Sequence, residues 1–107
     1  MEYVLFNDVK LLIKTLKEEK ESENLRNSLA RVYIQDEIKN AKMTIIRRMG
    51  SYFRTLDERT LESLIITFNN IQLFSNNEDK EYYEIVKAIA FGAKADVKFE
   101  REANKYR

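Results

Sequence analysis

The side chains closest to an acid–base arrangement in this 107-residue sequence are four adjacent carboxylate pairs: Glu18–Glu19, Asp36–Glu37, Asp57–Glu58 and Glu78–Asp79. Adjacent residues on a helix point about 100° apart, so neither partner can work on the group the other faces. The chain has no Cys and no His, which removes zinc fingers, haem ligation, disulfide scaffolds and Cys–His or Ser–His nucleophiles. Two isolated glycines, Gly50 and Gly92, cannot form a Gly-rich phosphate loop. No spacing asks for a carboxylate-only metal site. The expectation is therefore a protein that is not an enzyme, with no catalytic, metal-binding or cofactor-binding residue and no cofactor.

Charge offers a different chemistry. The net charge is +1, but residues 38–56 hold five basic residues, Lys39, Lys42, Arg47, Arg48 and Arg54, and no acidic one. Residues 57–86 hold seven acidic residues against two basic ones. On a helix Lys39, Arg47 and Arg54 fall within about 80° of one another, with Lys42 and Arg48 flanking the apolar stripe. Such a face suits a phosphate backbone or an acidic partner. It also suits a solvated helix whose cations meet acids of the same fold, the acidic third helix being the expected donor. Tyr52 and Phe53 lie among the arginines, a composition shared by single-strand stacking surfaces and protein interfaces. Phe53 projects off the apolar stripe and is expected to be an exposed anchor.

The elements that must position these groups are helical throughout. Val9, Leu12, Ile13 and Leu16 predict a first helix over about 7–20, with a polar link near 17–24. Ile34, Ile38, Ala41, Ile45, Met49 and Tyr52 define one stripe of a long central helix, about 24–54, which Leu25, Leu29 and Val32 extend. Thr55 with Glu58, and Ser75 with Glu78, read as capping boxes opening a third and a fourth helix. Leu61, Leu64, Ile65, Phe68 and Ile71 predict the buried face of the third, and Tyr82, Ile85, Val86, Ile89 and Ala93 that of the fourth. The expected fold is all-α, a compact bundle of about four helices in one domain, 1–93. Residues 94–107 are expected to be a frayed tail or linker.

Three segments in sequence carry a family resemblance. They are the amphipathic stretch Val9–Leu16 with the polar run to Leu25, the long helix ending in Ile45-Ile46-Arg47-Arg48-Met49, and the start Thr55-Leu56-Asp57-Glu58-Arg59-Thr60-Leu61-Glu62. Together, over about residues 9–74, they resemble the helical A domain of GINS DNA-replication complex subunits, of the archaeal type that carries this domain first. The small β-rich B domain usual in that family has no counterpart in the sequence, and the segment after Gly92 falls where a linker to it would begin. The resemblance implies a non-catalytic scaffold of a replicative helicase assembly. Its partners would be a homologous GINS-type subunit and helicase components such as MCM.

A subunit of this kind needs apolar surface to dock on. Ile46, Phe53, Ile66, Leu73 and Phe74 lie off the main stripes and are the expected protein interface. Two other readings stand beside it. One is a small nucleic-acid-binding helical protein using the basic face, and the other is a structural homodimer. No stretch has the length and apolarity of a membrane span, and the N-terminus lacks the basic region of a signal peptide. The expected setting is cytoplasmic or nucleoid-associated.

Overall fold

The computed structural model describes residues 2–25 and 29–105. Four helices account for nearly all of them: α1 (Glu2–Ser22), α2 (Leu29–Arg54), α3 (Glu58–Phe74) and α4 (Asn77–Lys105). No strand occurs among the described residues, so the chain is all-α. It divides into two compact units, Met1–Arg48 and Met49–Arg107, and the boundary falls inside α2, beside Gly50. The apolar stripe of the long helix runs on without interruption across the boundary, so periodicity carries no sign of it.

The first unit is a helical hairpin. Leu5, Val9, Leu12, Ile13 and Leu16 are buried along α1, at the three-and-four spacing that keeps side chains on one helix face. Ile38 and Ile45 are the buried positions of α2 in this unit. Asp8 joins Arg48 and Glu19 joins Lys42, so the two helices run antiparallel. Helix α1 is longer than the 7–20 expected. The run Lys17 to Ser22 continues as helix, because its lysines and glutamates are good helix formers, and Ser22 at its end is buried. Helix α2 begins later, with Glu23 and Asn24 in a turn, and residues 26–28 lie outside the described residues. Leu29 and Val32 were expected on the buried stripe but are exposed. At about 100° per residue Leu29 stands opposite Ile38, and Val32 some 120° from it.

The second unit packs the end of α2 with α3 and α4. Met49, Phe53, Leu61, Leu64, Phe68, Tyr82, Val86, Ala90 and Ala93 form its core. Phe53 and Phe68 meet edge to face, with ring centroids 6.2 Å apart and planes at 77°, an arrangement that sets the positive edge of one ring on the negative face of the other. Glu62 faces Lys94 and Asn69 faces Lys87, so α3 and α4 are antiparallel.

The expected capping boxes form differently. Asp57 is the N-cap of α3, its Oδ1 accepting from the Thr60 amide at 2.7 Å, while the Thr55 hydroxyl donates to the Tyr52 carbonyl and closes α2. Asn76, rather than Ser75, accepts from the Asp79 amide at the start of α4, and Ser75 donates to the Ile71 carbonyl at the end of α3. Both hydroxyls serve the helix that is ending, and the Asx residue after each serves the one that begins. Helix α4 then runs to Lys105, so residues 94–105 are helix where a frayed tail was expected, and 106–107 lie outside the described residues. At 29 residues α4 is the longest helix, exceeding the 26 of α2.

Candidate interaction surfaces

The basic block of α2 is largely engaged within the fold. In the first unit Arg48 makes a bidentate pair with Asp8, Nε to Oδ2 at 2.9 Å and Nη2 to Oδ1 at 2.5 Å. This pair matches a planar guanidinium fork to a carboxylate, and its hydrogen bonds raise the affinity of Arg48 for its proton. Asp8 is buried and Arg48 half-exposed, so the arginine reaches over the hairpin to satisfy a carboxylate that would otherwise be desolvated alone. Lys42 Nζ donates to Glu19 Oε2 at 2.6 Å. In the second unit Arg54 pairs with Asp96 at 3.1 Å. The acids that meet these cations come from α1 and α4, and not from the acidic third helix as the sequence reading expected. Lys39 and Arg47 are exposed and hold no ion pair among the described residues.

The expected protein interface splits in a similar way. Phe53 is 0% exposed and belongs to the core, as does its ring partner Phe68, so it is neither an anchor nor a stacking platform. The stripe simply turns: after Met49 the buried position is Phe53 and not Tyr52, because four residues return to the same helix face more closely than three. Ile46 is half-buried in the first unit. Ile66, Leu73 and Phe74 are exposed on α3, Phe74 by 92%. Ile66 and Leu73 are seven residues apart and therefore share one line along the helix, opposite a face on which Leu61, Leu64 and Phe68 are buried. Phe91 of α4 is also exposed and lies level with Ile66, as the Glu62–Lys94 and Asn69–Lys87 contacts fix the register of the two helices.

Sequence reading missed a further exposed apolar set on α2: Leu29, Val32, Tyr33 and Met43. The signal was available in the angular distance of each from Ile38 and Ile45, which is at least about 120° from Ile38 for all four. Toward the connected end of the hairpin a groove of about 510 Å³ is lined by Glu18, Glu21 and Glu37 together with Leu25, Ile34 and Ile38. It offers carboxylates, alkyl groups and the Ser22 hydroxyl, which donates to the Glu19 carbonyl, but no cation. Among the described residues no three acidic side chains converge as a metal site, and no helix is long and apolar enough to cross a membrane.

Titration is perturbed mainly by local bonds. Asp57 is held below the usual carboxylate range by the Thr60 amide, and Glu84 is lowered by the Gln72 amide and then Lys87. Lys94 is raised by its hydrogen bond to Glu62, and Tyr83 by burial. The shifts of Asp57, Glu84 and Lys94 come from helix-end and interhelix contacts with structural partners, and none of the four groups is gathered into a reactive cleft. Compared with protein-family models, curated proteins and solved structures, the chain matches none.

Proposed function

We propose that the chain is a non-catalytic docking module, a helical scaffold that holds partner helices on apolar side chains its own fold leaves outside. The observation that carries this reading is the outer line of α3. Ile66 and Leu73 lie along it and Phe74 stands at its end, on a helix whose other face is fully packed. Large apolar side chains grouped in this way mark surfaces that a partner covers. The finer reading places the module in a replicative-helicase-associated, GINS-like assembly. Its support is the order of the three segments in residues 9–74.

The nucleic-acid reading retains Lys39 and Arg47 alone, since Lys42, Arg48 and Arg54 already hold carboxylates. Two unpaired cations left in this block, on a chain of net charge +1, are a thin footprint for phosphate binding.

The test is capture of the tagged full chain from its native lysate after nuclease treatment, with mass spectrometry of what is retained. Recovery of a GINS-type subunit or MCM, lost when Ile66→Ser, Leu73→Ser and Phe74→Ser are combined, is the expected result. All three residues are exposed, so the variant should keep its helical circular dichroism. If those proteins are absent, and untreated samples carry nucleic acid that Arg47→Glu removes, the scaffold reading is replaced by the nucleic-acid one.

A further inference from the structure

The outer face of α2 in the first unit carries a self-complementary pattern. Leu29, Val32, Asp36, Lys39, Met43 and Ile46 follow one another at alternating spacings of three and four. That spacing keeps them in a strip about 100° wide that drifts slowly backward around the helix, as a heptad does. The strip lies away from the face that buries Ile38 and Ile45. Leu29 is 92% exposed and Val32 59%, Met43 is exposed and Ile46 half-buried. Asp36 and Lys39 are exposed at the middle of the strip, and neither is ion-paired among the described residues. Tyr33, 68% exposed, flanks it.

We infer that this strip is the interface of an antiparallel dimer in which α2 packs against α2 of a second copy. When the strip is laid against itself with its direction reversed, one register matches every position. Leu29 meets Ile46, Val32 meets Met43, Asp36 meets Lys39, and each pairing occurs twice about a two-fold axis. Such an interface is isologous and closes at two copies. The charges choose the orientation. A parallel, in-register pair would set Asp36 on Asp36 and Lys39 on Lys39, like charges in the middle of the seam. The antiparallel pair sets each acid on a base, and a polar layer of this kind fixes register more than it adds affinity. Other exposed apolar side chains, including the α3 line, carry no comparable internal match. From Leu29 to Ile46 the strip is only about 26 Å long at 1.5 Å per residue. An interface of that length is at the small end of specific contacts, so the dimer should exchange with monomer in the micromolar range. This inference does not depend on the docking role proposed for α3, which lies in the other unit.

The experiment is sedimentation velocity on the full chain over a roughly hundredfold range of concentration, with charge variants and engineered cysteines. The wild type should move from monomer to dimer with concentration. Asp36→Lys and Lys39→Asp, each alone, should raise the dissociation constant by about tenfold or more, since each puts like charges together. The two combined should restore it. The chain has no cysteine, so thiol cross-linking has a clean background. Val32→Cys with Met43→Cys should yield a covalent dimer on mild oxidation, while Val32→Cys alone should not, because the two copies of position 32 are far apart in the antiparallel register. Both sites are exposed, and circular dichroism checks that each variant keeps its helices. A chain that remains monomeric throughout overturns the inference. So does a dimer indifferent to both charge reversals, or one that cross-links as readily through Val32→Cys alone.

Discussion

In the Met1–Arg48 unit two helices are joined by charged pairs, and one of the carboxylates involved, Asp8, is buried. In the Met49–Arg107 unit the end of α2, α3 and α4 surround an aromatic and aliphatic core centred on Phe53 and Phe68, and the ion pairs lie outside it. The hairpin buries a broad face of α1 but leaves most side chains of α2 outside, Ile38 and Ile45 being its buried positions there. It draws its orientation from a few polar contacts. Three converging helical segments can enclose side chains completely, and packing then does most of the stabilising. The first unit should accordingly be sensitive to charge and the second to volume.

The largest effect is expected from Phe68→Ala. It removes a side chain with no exposed surface and empties the space beside Phe53, at a cost of about 3–5 kcal/mol. Urea denaturation followed by circular dichroism should show a correspondingly lower midpoint. A loss below about 1 kcal/mol would mean that the second unit is not held by its core.

Arg48→Ala tests the other side of the comparison. The partner Asp8 stays buried while its bidentate donor is lost, but Arg48 is half-exposed and water can partly replace it. The expected cost is therefore intermediate between a surface pair and a buried one, about 1–3 kcal/mol. Asp8→Asn combined with Arg48→Ala should cost less than Arg48→Ala alone, because no charge is then stranded. Equal losses would show that Asp8 is satisfied by something other than Arg48.

Gly92→Ala should act in the opposite direction. Gly92 is inside α4 without a positive φ, and a Cβ there would meet nothing within 4 Å. Replacing it lowers the entropy of the unfolded chain at no steric expense, a gain of about 0.5–1 kcal/mol. Thermal melts of the two proteins side by side suffice to measure it.

Acid provides a smaller perturbation. Asp57 and Glu84, both in the second unit, are lowered from ordinary values of 3.8 and 4.5. A carboxylate lowered in the folded state contributes stability above its unfolded pKa and loses it as pH falls through the folded value. Stability should thus be level at neutral pH and decline below about 4, and Asp57→Asn should flatten part of that decline by keeping a cap that does not titrate.

What the sequence made legible follows from these differences. Helix number, the buried residues Leu61, Leu64, Phe68, Tyr82 and Val86, and the spacing along α1 were all readable, since each is a periodic burial signal. The capping residues were off by one or two places, because a hydroxyl ending one helix and an Asx opening the next look alike in sequence. Phe53 was misplaced because a stripe can turn by one position without changing its composition. Of the basic block, the pattern showed the face but not the partners. Asp8 lies forty positions from Arg48 and Asp96 forty-two from Arg54, and nothing local links them.

Lys42→Gln should have the smallest effect and separates the two ion pairs of the first unit from one another. The Lys42–Glu19 pair lies across the hairpin at 2.6 Å with both side chains partly in water. Coulomb attraction there is weakened by the solvent, and two long side chains must be ordered to realise it, so the expected loss is under about 1 kcal/mol. It should shrink further when salt rises, as the Debye length falls from about 10 Å at 0.1 M to about 3 Å at 1 M. The same salt series on Arg48→Ala should change little, since a bidentate pair with a buried partner is poorly reached by ions. If instead both variants lost their effect together, the buried position of Asp8 would not protect its pair. The contrast between a charge-oriented hairpin and a packed three-helix core would then rest on the core alone.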